Sequence, residues 1–153
     1  MEGFDYSTPG AYFITICVKA HENLFWNVGA RIARLGDELP LSELGIIADK
    51  AISEIPMRYP EVKLDKYVVM PNHIHLLLCL SEGGRAMRAP TISTVVNQLK
   101  GTVTKRAERM IWQKSFHDHI VRGEKDYLEI WEYIESNPWK WTEDCFYNKK
   151  AEA

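Results

Sequence analysis

Apolar residues recur along this chain with two periods, one near 2 and one near 3.6, and the changes of period divide it into elements. Ala11 to Val18 (Ala-Tyr-Phe-Ile-Thr-Ile-Cys-Val) is a β-branched and aromatic run behind Pro9-Gly10, the composition of a central strand. Residues 31 to 41 read as a hairpin turning at Gly36-Asp37. Ser42 suits an N-cap, and from it Leu44, Ile47, Ala48, Ala51, Ile52 and Ile55 keep helical spacing until Pro56 and Pro60 stop it. Val62 to Met70 and His73 to Leu80 are strand-like runs separated by the turn pair Pro71-Asn72, which predicts an antiparallel hairpin. Residues 81 to 90 read as a flexible loop. Ile92, Val95, Val96, Leu99 and Val103 then share one face of a second helix, Phe116 to Val121 is a short strand, and Glu124 to about Ser136 is a third helix ending near Asn137-Pro138. This order implies an α+β fold, a ferredoxin-like antiparallel sheet with helices packed mainly on one face.

At 153 residues and 46% hydrophobic content the chain can bury one core, so a single domain over 1–153 is expected. No stretch approaches the roughly 18 apolar residues a membrane span needs, and Met1-Glu2-Gly3-Phe4-Asp5 does not open a secretory signal, which leads us to expect a soluble, cytoplasmic protein with no membrane partner. Cys17, Cys79 and Cys145 are odd in number and far apart, as reduced thiols rather than a disulfide framework would be. The net charge of −2 disfavours a nucleic-acid partner on its face, but the distribution is uneven. Residues 85 to 114 carry seven basic side chains against Glu108 alone, a local balance of +6 that leaves −8 for the rest. That zone can meet a phosphate backbone, although charge alone fits a solvated helix face better.

His73 and His75 are two residues apart on a strand, so both imidazoles leave one face while Ile74, Leu76 and Leu78 take the other. Two imidazoles on a rigid strand can share a divalent ion, and polar groups in such apolar surroundings need a partner. His117 and His119 repeat the spacing, but only the first pair stands at the mouth of a hairpin inside an apolar strand. On the third helix Tyr127, Ile130, Trp131 and Ile134 form the core stripe, which makes Tyr127 the packing tyrosine and leaves Tyr133 available at the flank. Asn137 follows Tyr133 by one turn and offers an amide oxygen as a third ligand. Asp126 points roughly the same way, though an acid in a first helical turn is already favoured by the macrodipole.

Taken together, Pro71-Asn-His-Ile-His-Leu-Leu, Ile111-Trp-Gln-Lys-Ser-Phe-His-Asp-His-Ile-Val-Arg122 and Tyr133-Ile-Glu-Ser-Asn137-Pro138 resemble the single-tyrosine HUH transposases, in particular the REP-associated tyrosine transposases. The opening Tyr6-Ser-Thr-Pro9-Gly10-Ala-Tyr12-Phe13-Ile14-Thr15 is similar to their first strand, so the resemblance runs through nearly the whole chain in order. It implies Mg²⁺ or Mn²⁺ held by His73, His75 and Asn137, Tyr133 as catalytic nucleophile, and single-stranded or hairpin DNA as partner. DNA contacts are then expected on the basic second helix, at Lys100, Lys105, Arg106 and Arg109, with His119 and Asp126 as candidates to support the metal ligands from behind. The start at Met1-Glu2 departs from members that carry a basic N-terminal segment.

The chemistry implied is metal-assisted cleavage of single-stranded DNA with strand transfer, through a 5′-phosphotyrosine intermediate. A free phenol titrates near 10, so Tyr133 needs activation, for which Asp126, Glu129 and His119 are candidates. A His-x-His-x-His nucleotide hydrolase is disfavoured because Leu77 stands at the third histidine's position. The alternative is a domesticated, non-cleaving protein that binds DNA hairpins. Related enzymes include monomers and homodimers, and both remain open at this stage.

Overall fold

The computed structural model describes residues 10–27, 30, 38–80 and 92–141. Its elements are β1 (Ala11–Cys17), α1 (Glu43–Ser53), the short α2 (Ile55–Arg58), β2 (Val62–Val69), β3 (His73–Leu80), α3 (Ile92–Ala107), β4 (His117–Ile120) and α4 (Glu124–Ser136). The four strands form one antiparallel sheet in the order β2-β3-β1-β4, the ferredoxin-like arrangement with the two most apolar strands in the middle. The turn expected at Gly36-Asp37 and the loop expected at 81 to 90 lie outside the described residues. Among those residues no helix is long and apolar enough to cross a membrane.

Local chemistry explains the boundaries. Ser42 caps α1 by accepting the Gly45 N–H, and the helix gives way at Glu54 to the single turn of α2, where Pro56 is tolerated because a first-turn N–H needs no partner. Gly45 is obligatory for another reason: a Cβ there would collide with the Phe25 carbonyl, which receives the Ser42 N–H at 2.9 Å.

Strand alternation sorts the sheet into two faces. Ile14, Ile16, Ile74, Leu76 and Leu78 are fully buried on one, against the side where α1 lies, since Tyr67 shares Leu76's register position and donates to Asp49 of α1 at 2.8 Å. α3 packs beside α1, and Arg106 reaches Glu54 at 2.9 Å. The third long helix, α4, crosses the other face, where Phe13, Thr15, His73 and His75 project. Two helices therefore cover the apolar face, and one is reserved for the face that carries the histidines.

Candidate active site on the histidine face

His73 and His75 are 0% and 1% exposed, and their Nε2 atoms converge to 3.1 Å. Each Nδ1 is held by a neighbour. Asn72 donates its amide to the His21 carbonyl at 3.3 Å and so presents Oδ1 to His73 Nδ1 at 2.8 Å. That makes Nδ1 of His73 the protonated nitrogen and leaves a lone pair on Nε2. His75 Nδ1 lies 2.9 Å from Thr15 Oγ1, directly across the β1–β3 register. A hydroxyl can donate or accept, so Thr15 suits either tautomer of His75. Burial, reinforced by nearby His21, drives the His73 pKa down to about 3, which keeps this imidazole neutral and able to donate electrons to a metal.

The support for Asn72 comes from strained backbone. Ala20 and His21 adopt φ of 57° and 51°, left-handed values that cost a non-glycine residue roughly 1 kcal/mol or more. The turn is anchored by Val18 N–H to Asn72 O and Lys19 N–H to Ile111 O, both at 2.9 Å.

Above this pair lies α4. Ile130 and Ile134 are its buried stripe, while Tyr133 is 39% exposed with its ring 5.4 Å from that of His75 and 6.2 Å from that of Phe13. Four residues on, Asn137 is 4% exposed, and four further the Trp141 ring stands 6.1 Å from His73. Asn137 thus sits inside, along the stretch that runs from one histidine to the other. Among the described residues no three His, Cys, Asp or Glu side chains cluster as a metal cage. Two buried imidazoles, with a buried amide at the end of the helix above them, still suit a divalent ion that keeps positions open for phosphate or water.

A bulge in β2 fixes the helix that carries Tyr133. The register slips between Leu64 and Lys66, so Asp65 and Lys66 both reach toward α4 instead of alternating away from each other. Asp65 accepts the Tyr127 hydroxyl at 2.6 Å and the Cys79 thiol at 3.0 Å; Lys66 pairs with Glu135 at 3.0 Å and lies 4.2 Å over the Trp131 ring. Tyr127 is the packing tyrosine that the spacing indicated. The β4–α4 connection needs Gly123, whose φ of 137° is open to glycine alone at little cost.

No family model matches the chain. An uncharacterised protein of Haemophilus influenzae is 33% identical over 168 aligned positions, covering 96% of this chain and 90% of that one. The REP-associated tyrosine transposase of Escherichia coli is 32% identical over 79 residues, 51% of this chain and 45% of the relative, so the match spans about half of each. The fold is shared with a REP-associated tyrosine transposase solved bound to a REP hairpin, at a TM-score of 0.64 and 24% identity over 92% of this chain and 74% of that one. The chain belongs to the REP-associated tyrosine transposase family. A transposase-like role follows from that membership.

In this family member the other candidate residues fall into two places. His119 shares the histidine face through its register with Phe13, but its Nε2 is 2.7 Å from Asp126 Oδ2, so these two hold each other and tie β4 to the first turn of α4. Burial pushes the Asp126 carboxyl up, yet hydrogen bonds from the Arg122 N–H and His119 outweigh it and hold the carboxyl below its usual range. Glu129 is solvent-exposed beside Lys125. The partners that orient the central pair are instead Asn72 and Thr15, which the sequence reading passed over. Thr15 had a signal, as the only hydroxyl of an aliphatic and aromatic strand apart from Tyr12. On α3, Lys100 gives its ammonium to the Gln113 and Lys114 carbonyls at 2.7 and 3.3 Å, and Arg106 is engaged by Glu54. Lys105 and Arg109 are exposed. Two hollows of about 650 and 620 Å³ flank the outer side of α3 and share Asn97, Gly101 and Lys105 as a common floor.

Proposed function

We propose that this chain cuts and rejoins single-stranded DNA beside a DNA hairpin, through a 5′-phosphotyrosine bond on Tyr133. The observation that carries the reading is the placement of an accessible phenol 5.4 Å, ring to ring, from a buried imidazole whose Nε2 meets that of a second imidazole at 3.1 Å. His73, His75 and Asn137 would hold Mg²⁺ or Mn²⁺, which when bound supplies Lewis-acid polarisation of the scissile phosphate. Tyr133 performs the substitution: its phenol oxygen, having released its proton, bonds to phosphorus while the bond to the 3′ oxygen breaks, and that oxygen leaves as a 3′-hydroxyl. The linkage keeps the phosphodiester energy. Attack by a second 3′-hydroxyl expels the tyrosine and rejoins the strand without a nucleotide cofactor.

The hairpin enters the proposal from the fold neighbour bound to one, and from the cationic outer side of α3, where Lys105 and Arg109 can reach phosphates. The tyrosine and the histidine pair meet within one chain, so we read the site as working in cis. The test is incubation with end-labelled hairpin oligonucleotides and Mn²⁺, then a denaturing gel. We expect a covalent protein–DNA adduct that disappears in Tyr133→Phe and on chelation. Hairpin binding by the wild-type protein with no adduct would overturn the cleavage reading.

A further inference from the structure

The substitution at phosphorus leaves one proton without a source. The departing 3′ oxygen becomes a hydroxyl, and an alkoxide is too basic to leave readily at neutral pH unless a proton reaches it as its bond breaks. The strand that carries His117 and His119 stands where that proton is needed.

β4 pairs with β1 so that Phe13 lies opposite His119 and Thr15 opposite His117. Thr15 has His75 on its other side, so His75, Thr15 and His117 form one row across three strands and rise from the same face. Neighbouring strands are about 4.8 Å apart, which puts His117 roughly 10 Å from His75, backbone to backbone. The helix above this face, α4, packs chiefly on β2 and β3. Its flank toward β4 carries Asp126, which holds His119 at 2.7 Å, and two turns on Tyr133, whose ring lies 5.4 Å from that of His75 and 6.2 Å from that of Phe13. Tyr133 therefore stands over the seam between β3 and β1, beside the row that ends at His117. The two side chains flank β1, with Phe13 and Thr15 between them, and both are exposed. His119 is engaged by Asp126, whereas His117 has no hydrogen bond or ion pair among the described residues.

In-line substitution puts the attacking and leaving oxygens on opposite sides of phosphorus. With the phenol attacking from the α4 side, the leaving 3′ oxygen points away from α4, across β1 toward β4. We infer that His117 is the general acid that protonates this oxygen, an inference that rests on the reading of the chain as a single-strand transposase. As the bond from Tyr133 to phosphorus forms and the bond to the 3′ oxygen breaks, the His117 imidazolium gives that oxygen its N–H proton and becomes neutral. The phenol's own proton goes to solvent. In rejoining, neutral His117 takes the proton of the incoming 3′-hydroxyl as it attacks phosphorus, and the tyrosine leaves and recovers a proton from solvent.

The test follows adduct formation in single turnover with Mn²⁺, on a hairpin substrate with the natural 3′ bridging oxygen at the cut and on the same substrate with sulfur in that position, for wild type, His117→Gln and His117→Ala. A thiol titrates at about 8.5, so the sulfur leaves without a proton donor. We expect both variants to react roughly 100-fold or more slowly than wild type on the oxygen substrate, with hairpin affinity within about two-fold, and to match wild type on the sulfur substrate. His117 is exposed on an edge strand, so its replacement should leave the melting temperature in place. Variants that are equally slow on both substrates, or as fast as wild type on the oxygen one, overturn the general acid while the transposase reading stands. Wild-type protein that forms no adduct with either substrate overturns both.

Discussion

Thr15 places one hydroxyl in a strand otherwise suited to burial, and its position across from His75 gives it a specific task. When His75 Nε2 hydrogen-bonds to His73, Thr15 donates to His75 Nδ1; when Nε2 must offer its lone pair to a metal, Thr15 accepts from Nδ1 instead. Thr15→Val keeps the shape and removes that choice. We expect Mn²⁺ affinity to fall roughly 10- to 100-fold, read by titration calorimetry, and unchanged affinity would dismiss Thr15 as an orienting group. His73 sets a pH limit on the fold itself. Its pKa is near 3 when folded, against about 6.5 for a free imidazole, so between those values the unfolded chain binds the extra proton. The stability due to a neutral His73 is complete above about pH 6.5 and drains as pH falls toward 3, and thermal melts of wild type and His73→Ala should converge over that window. The shared face of the two imidazoles was legible from their spacing together with their position in an apolar strand, since His117 and His119 repeat the spacing. Thr15 and Asn72 were not, because their roles depend on register and on a strained turn distant in sequence.

At the scale of elements, α4 is positioned chiefly by β2. Tyr127→Phe removes one donor to Asp65 and leaves that largely enclosed carboxylate with the Cys79 thiol and the more distant Lys63 ammonium, 3.7 Å away. Stability should drop by about 1–3 kcal/mol. Because the helix that presents Tyr133 loses an anchor near its start, adduct formation should also slow at least ten-fold with hairpin affinity unchanged, a split that single-turnover kinetics against a binding titration would show. Equal losses in both would mean simple unfolding. The helices and strands were legible to within a residue or two because their apolar periods are clean: Ser42 capped where expected and α4 ran from Glu124 to Ser136. The bulge was not, since it shows in sequence only as adjacent polar residues, Asp65-Lys66, in a strand that reads as regular.

Across the whole molecule, α3 and the histidine site lie on opposite sides of the sheet. Local charge marked α3 as basic, but sequence could not show that Lys100 and Arg106 are occupied within the fold while Lys105 and Arg109 remain exposed. Lys105→Ala or Arg109→Ala should each weaken hairpin binding uniformly across sequences and lower the salt slope by about one, whereas Lys100→Ala should act mainly on stability. Gly101 gives a sharper test. Nothing lies within 4 Å of where its Cβ would be, so Gly101→Ala should stabilise α3 by about 0.5–1 kcal/mol, while crowding any backbone that settles between the two hollows. A more stable but weaker-binding variant, by melt and titration, is the expected pairing. The sheet then acts as a partition. A nucleic acid gripped on the α3 side can reach Tyr133 only by passing around an edge, and the distance from the stem to the cut becomes a dimension of the protein body. The molecule would behave as a ruler: lengthening the flank beyond the cleavage point should leave the cut at a constant number of nucleotides from the stem, and flanks too short to round the edge should be held without being cut.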